Sequence, residues 1–158
     1  MEILGNSDPG LGVSLVDGDS WARWVHYLRK IEFETVIRLI PLGRDSSVLE
    51  IGCGDGFQSD LLRQRFRHVF ATDPYRCPDH LDGFLFAGAE SLPFPDEIFD
   101  LVFSSNAFEH MADRTRAARE AARVMRPGGY LVHTVPTQFW KATSLLLNPV
   151  GYPLRVME

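Results

Sequence analysis

The sequence predicts an α/β fold, a parallel sheet covered by helices on both faces. Short apolar runs recur at residues 47–51, 69–72, 84–87, 99–103 and 130–135, most of them bounded by glycine, proline or acidic residues. Runs of that length, apolar without strict alternation, suit strands buried on both sides. Between several of them the apolar residues return every three or four positions, as an amphipathic helix requires. This alternation in 158 residues fits one domain, 1–158, built around one sheet.

The elements follow in order. Residues 1–16 hold Gly5, Pro9, Gly10 and Gly12 and read as a loose arm. An N-terminal helix is expected over 17–41, because Trp21, Trp24, Val25, Leu28, Ile31, Thr35, Val36 and Leu39 recur at three and four residue steps. Asp17 or Asp19 caps it, and Pro41 with Gly43 ends it. The core covers 47–136. It starts with a strand at 47–51 that runs into glycines, a helix at about 58–65 and a strand at 69–72. Two more strands come at 84–87 and 99–103. An Ala- and Arg-rich helix over 114–125 is closed by Arg126-Pro127-Gly128-Gly129, and the last strand starts at Tyr130. The remaining 137–158 is an apolar tail with a helical stretch at 140–147.

Composition narrows the function. With 45% hydrophobic residues the chain is not disordered, and 13 Gly and 10 Pro exclude a collagen-like or low-complexity chain. A net charge of -5 argues against nucleic acid as partner, since phosphate neutralisation needs clustered Lys and Arg. The two cysteines, Cys53 and Cys77, form no CxxC pair, and Cys77 with Asp79 and His80 offers too few ligands for a metal. No apolar run approaches the ~20 residues of a membrane span, so no stable membrane insertion is expected. The start of the chain has no basic segment leading into an apolar one, and a cytoplasmic protein is the expectation.

The segment Glu50-Ile51-Gly52-Cys53-Gly54-Asp55-Gly56 carries the chemistry. Closely spaced glycines after a strand let the backbone turn tightly and approach a ligand, and the next helix offers its N-terminal N–H groups. The spacing is Gly-x-Gly-x-Gly, not the Gly-x-Gly-x-x-Gly of a dinucleotide site. That disfavours a nicotinamide-dependent oxidoreductase. A carboxylate at Glu50 suits an ammonium group and would repel a pyrophosphate. Asp73 ends the second strand 17 positions after Gly56, where a carboxylate can accept both hydroxyls of a ribose.

With these residues the sequence resembles the class I S-adenosylmethionine-dependent methyltransferases of the small-molecule, quinone and lipid type. Glu50-x-Gly52-x-Gly54 is similar to that family's first motif and Asp73 to its ribose-binding acid. The segment from Gly88 to Asp100 resembles the adenine segment, and Arg123 to Gly129 the turn into strand five. The resemblance covers about residues 33–136. It implies a three-layer Rossmann-like sheet in the order 3-2-1-4-5 and S-adenosylmethionine as cofactor, with S-adenosylhomocysteine as product. It also implies a small-molecule or lipid-like methyl acceptor.

The resemblance further implies the site. Glu50 approaches the methionine ammonium, directly or through water. The backbone of Gly52, Cys53 and Gly54 lies along methionine and ribose, and Asp73 holds the ribose hydroxyls. Pro74 lies beside adenine, Ala89 and Glu90 border its edge, and Asn106 faces the reactive methyl end. Gly88 departs from the family, many members of which carry an aspartate there for the adenine amino group. Either Glu90 substitutes for it or adenine recognition is weaker.

Other groups are open to two readings. His110 is the candidate base, but methyl transfer often needs none, so the catalytic residue stays unassigned. Arg116, Arg119, Arg123 and Arg126 read as a solvated helix face, as do Arg63, Arg65, Arg67 and His68. Trp21, Trp24 and Tyr27 form either a packing stripe or part of a substrate lid.

The family's sheet ends in an antiparallel hairpin, and 23 residues after Val135 are too few for a helix and that hairpin. The hairpin is expected to be missing or truncated, and strand five then has an exposed edge. Either the apolar tail folds over that edge or a homodimer forms through strand five and the tail, with the dimer slightly preferred. A methyltransferase-like binding or interaction module without turnover is the alternative function.

Overall fold

The computed structural model describes residues 18–76 and 78–135, with side chains from residue 23 onward. Helix α1 (Gly18–Ile37) leads to strand β1 (Ser47–Ile51), helix α2 (Phe57–Arg65) and strand β2 (His68–Asp73). Strand β3 (Phe84–Phe86), strand β4 (Phe99–Ser105), a single 3-10 turn (Phe108–His110), helix α3 (Arg114–Val124) and strand β5 (Met125–Thr134) complete it. The five strands form one sheet in the order β3-β2-β1-β4-β5, parallel at every pairing. Both the α/β class and the 3-2-1-4-5 order expected from the resemblance are present. No described helix is long and apolar enough to cross a membrane.

Alternation along the central strands divides the core into two layers. Val48, Leu101 and Phe103 pack with Phe33 and Ile37 of α1 and with Leu61 and Leu62 of α2. Leu49, Ile51 and Val102 face the other way, against Ala117, Ala121 and Val124 of α3. On that second face an irregular segment, 87–98, takes the place of a crossover helix between β3 and β4, and it buries Ala89 and Leu92 beside α3.

Two details depart from the sequence expectation. Strand β5 starts at Met125, directly behind α3, so Arg126-Pro127-Gly128-Gly129 lies within the strand instead of before it. The register passes from Phe99↔Met125 to Leu101↔Tyr130, so these four residues bulge out opposite one residue of β4. Gly129 is confined there, since a Cβ would come within 2.7 Å of the Met125 side chain and 2.9 Å of the Arg126 carbonyl.

Arg123 and Arg126 are likewise not on a free, solvated face. Arg123 donates to both oxygens of Glu120 at 2.8 Å, to the Phe94 carbonyl at 2.8 Å and to Asp96 at 2.7 Å. Arg126 pairs with Asp100 at 2.6 Å. The expected arm at 1–16, Cys77 and the tail helix at 140–147 fall outside the described residues.

Candidate functional site

The carboxyl end of β1 sets the geometry. At Gly52 the chain adopts φ 78°, and its N–H and that of Cys53 both donate to the Thr72 carbonyl of β2, at 2.7 and 3.1 Å. The turn is thus fastened to the neighbouring strand. Glycine is required at 52 on two counts: the positive φ, and the Ala107 methyl, which a Cβ would meet at 2.5 Å. Gly54 also has positive φ, 56°, but a Cβ there would meet nothing within 4 Å. Its missing side chain leaves open space over the turn.

Asp73 ends β2 and is 8% exposed. One carboxylate oxygen accepts the Gly54 N–H at 3.0 Å, and the other accepts those of Tyr75 and Arg76 at 2.8 and 2.9 Å. A carboxylate offers about four acceptor positions, so Asp73 organises the turn and still has capacity for a hydroxyl. Asn106, just past β4, is held at φ 51° while its N–H donates to Thr134 of β5 at 2.9 Å.

These pieces enclose a cleft of about 730 Å³ at the carboxyl ends of β1, β2 and β4. Of the residues expected from the sequence, Gly52, Cys53, Gly54, Asp73, Pro74, Ala89, Glu90 and Asn106 all line it, as does His110. Gly88 lines it too, and a Cβ at 88 would come within 3.2 Å of the Glu90 carboxylate. The Glu90 carboxylate therefore lies where a side chain at 88 would start.

Glu50 is not among the lining residues. It is 1% exposed, behind the turn, and accepts a hydrogen bond from the Ser59 hydroxyl of α2. Burial drives its carboxyl up to about 7, against the opposing pull of the Ser59 bond. Asp55, at the turn's far side, is held below the usual range even though burial raises it. The imidazole of His26, at 2.9 Å, and the Phe57 N–H together outweigh that burial. The His26 ring also stacks on Phe57, 4.1 Å between centroids at 2°, so α1 is clasped to the start of α2.

Sequence reasoning missed the contribution of α1 and α2 to the cleft, through Arg29 and Gln58. Arg29 sits one turn after His26 on a helix whose apolar spacing marks only its packing side, and nothing in that spacing points to a ligand. Trp24 and Tyr27 are 46% and 56% exposed and stack on each other, so they do not belong to the core stripe.

The model of the family described as "Methyltransferase domain" matches residues 49–133. The sarcosine/dimethylglycine N-methyltransferase of Halorhodospira halochloris is 32% identical over 123 residues, which is 69% of this chain and 44% of that protein. A fatty-acid O-methyltransferase of Mycolicibacterium smegmatis is 31% identical over 139 residues, 80% of this chain and 48% of that protein. The chain thus spans about half the length of these curated relatives. A Thermotoga maritima structure, described as an S-adenosylmethionine-dependent methyltransferase and possible histamine N-methyltransferase, aligns with a TM-score of 0.62. It is 25% identical, with 84% of this chain and 66% of that one covered.

Proposed function

The chain belongs to the methyltransferase domain family, the class I S-adenosylmethionine-dependent methyltransferases, and on that premise we propose that it transfers a methyl group to a small-molecule or lipid-like acceptor at the cleft. The observation that carries the proposal is the meeting of four separate segments in one cavity: the glycine turn, Asp73-Pro74, Gly88–Glu90 and Asn106. S-adenosylmethionine supplies a methyl group activated on a sulfonium sulfur.

The residues fit that cofactor. The bare Gly54 lets a ligand lie against the turn, and Asp73 keeps acceptor capacity for a ribose hydroxyl beyond its three backbone partners. The Glu90 carboxylate, folded over Gly88, takes the role of acceptor for the adenine amino group. Glu50 sits behind the turn and acts on the amino-acid end through charge, shared with Ser59, not as a cleft-lining contact. Ala89 and Pro74 border the adenine, and Asn106 marks the acceptor end, where His110 also opens onto the cleft.

In this arrangement the chain binds, orients and excludes water. Such positioning, with reacting atoms ~3–3.5 Å apart, supplies much of the rate of a transfer between two bound reactants. The test is transfer of labelled methyl from S-adenosylmethionine to panels of small amino acids, fatty acids and hydroquinones. Label appearing in one panel in a Gly54-dependent manner supports the function. Tight cofactor binding with no transfer to any panel would favour the non-catalytic binding module.

The proposal includes a homodimer through β5. Among the described residues β5 pairs only with β4, and Tyr130 and Leu131 are 37% and 44% exposed on it. A strand edge left unpaired among the described residues, with apolar neighbours, favours pairing with a second copy. Light scattering decides: a mass near twice 17.9 kDa supports the dimer, and a monomer at high concentration removes it.

A further inference from the structure

We propose that a second cavity, at the opposite end of the sheet and lined by Arg44, Arg63, Arg67 and His68, binds a phosphate group. Its volume is about 470 Å³. No residue lines both this cavity and the cleft at the carboxyl ends of the strands. His68 is the first residue of β2 and Asp73 the last, so at about 3.3 Å per residue the two sites lie roughly 16 Å apart. The second site therefore stands whatever the first one binds.

Three segments deliver the arginines. Arg44 lies in the turn before β1, Arg63 in the last turn of α2, and Arg67 between α2 and β2. The Arg67 N–H donates to the Arg44 carbonyl at 2.8 Å, which ties those two segments together. Arginines in the last turn of a helix ordinarily answer its own unpaired carbonyls. Here both reach away from α2. Arg65 donates to the Leu42 carbonyl at 3.1 Å, and Arg63 donates to the carbonyl of Asp82. Asp82 also lines the cavity, so that bond holds Arg63 at the cavity wall.

The charges do not cancel. Arg67 is paired with Asp45 at 2.6 Å, but among the described residues Arg44 and Arg63 pair with no carboxylate. Three arginines against Asp45 and Asp82 leave a positive surplus, and His68 adds to it when protonated. This surplus sits on a chain whose net charge is -5, in a concavity, where it concentrates anions. Phe66 and Val69, both buried, supply apolar lining, beside which charge is screened less than in open water.

The donors select the anion. A carboxylate has two oxygens in one plane and is satisfied by a single guanidinium fork. A phosphate monoester presents three oxygens and can be shared among forks that arrive from three segments. Arginine matches each pair of those oxygens bidentately. Two sources carry this group, a free small molecule and phosphatidic acid at a lipid surface.

The test is calorimetric titration of the 158-residue chain with glycerol 3-phosphate and, as a second arm, with phosphatidylcholine vesicles that contain or lack phosphatidic acid. Arg44→Gln and Arg63→Gln are compared with Arg119→Gln, which alters an exposed arginine of α3 on the other face of the sheet. The expected result is saturable binding of glycerol 3-phosphate that each cavity substitution weakens by about tenfold and Arg119→Gln leaves unchanged. Binding confined to the vesicles with phosphatidic acid, with the same dependence on Arg44 and Arg63, supports the site and places the phosphate on a lipid. No saturable binding in either arm overturns it. So does binding that ignores both cavity substitutions, or that Arg119→Gln weakens equally, since diffuse attraction to positive charge would do that. Arg44 is exposed, so Arg44→Gln decides the matter should Arg63→Gln lose its melting transition.

Discussion

Glu50 shows how one residue sets the conditions under which the site is stable. Its carboxyl is raised by burial to about 7, so the folded protein holds this proton more tightly than the unfolded chain. Stability contributed by the protonated form is complete at low pH and is lost as pH rises from about 4.3 to about 7. Removing the charge by Glu50→Gln is expected to leave stability at pH 4 nearly unchanged. At pH 8 it should raise stability by up to about 3 kcal/mol, as read from denaturant melts at the two pH values. A variant that is equally destabilised at both would show that the carboxyl is not buried as described.

The two turn glycines separate packing from ligand contact. Gly52→Ala drives a Cβ to 2.5 Å from the Ala107 methyl and should cost about 1–3 kcal/mol of folding stability. Gly54→Val meets no protein atom at its Cβ, although its positive φ costs about 1–2 kcal/mol. It should stay folded and lose S-adenosylhomocysteine. Asp73→Ala removes charge-assisted hydrogen bonds and should weaken the same ligand by about tenfold to a hundredfold. Melting curves taken beside these titrations distinguish a lost contact from a lost fold.

Among the elements, the irregular 87–98 segment depends on α3 for its shape. The Arg123 guanidinium binds both Glu120 oxygens and the carbonyls of Leu92 and Phe94, and Glu120 in turn accepts the Leu92 N–H at 2.9 Å. The side-chain bond to Arg123 is the main reason the Glu120 carboxyl is held far below its usual range. Arg123→Met should therefore cost about 2 kcal/mol and speed amide exchange in 88–98 before it affects β1 or β2. Exchange rising uniformly across the sheet would contradict this.

The sequence made β1, β2 and β4 legible because each is an apolar run ended by glycine, aspartate or asparagine. Gly52, Gly54 and Asp73, singled out by their spacing, and Asn106, implied by the family resemblance, all line the cleft at the ends of these strands. Arg123 was not legible: on an Ala-rich helix a charged residue looks solvated, and only the fold brings the 92–96 carbonyls to it. Pro127-Gly128-Gly129 carries turn chemistry, yet parallel pairing with β4 absorbs it as a bulge. Arg29 has no local signature, because its place at the cleft depends on α1 being clasped over the turn by His26 and Asp55.

Across the whole molecule, one sheet divides two kinds of work. The α1 and α2 face holds the buried Glu50–Ser59 pair and brings Arg29 and Gln58 to the cleft, and the other face carries the 87–98 segment that brings Glu90 to it. The cleft opens where strands β1, β2 and β4 end and chain connections leave in different directions, as ligand sites in open α/β sheets do. On the proposed function this cleft takes an S-adenosyl ligand and not a dinucleotide. Calorimetric titration of the chain with S-adenosylhomocysteine and, in parallel, with NAD tests it most directly. Saturable binding of S-adenosylhomocysteine at one site, abolished by Gly54→Val, with no heat from NAD, is the expected result. Binding of NAD, or of neither ligand, would contradict it.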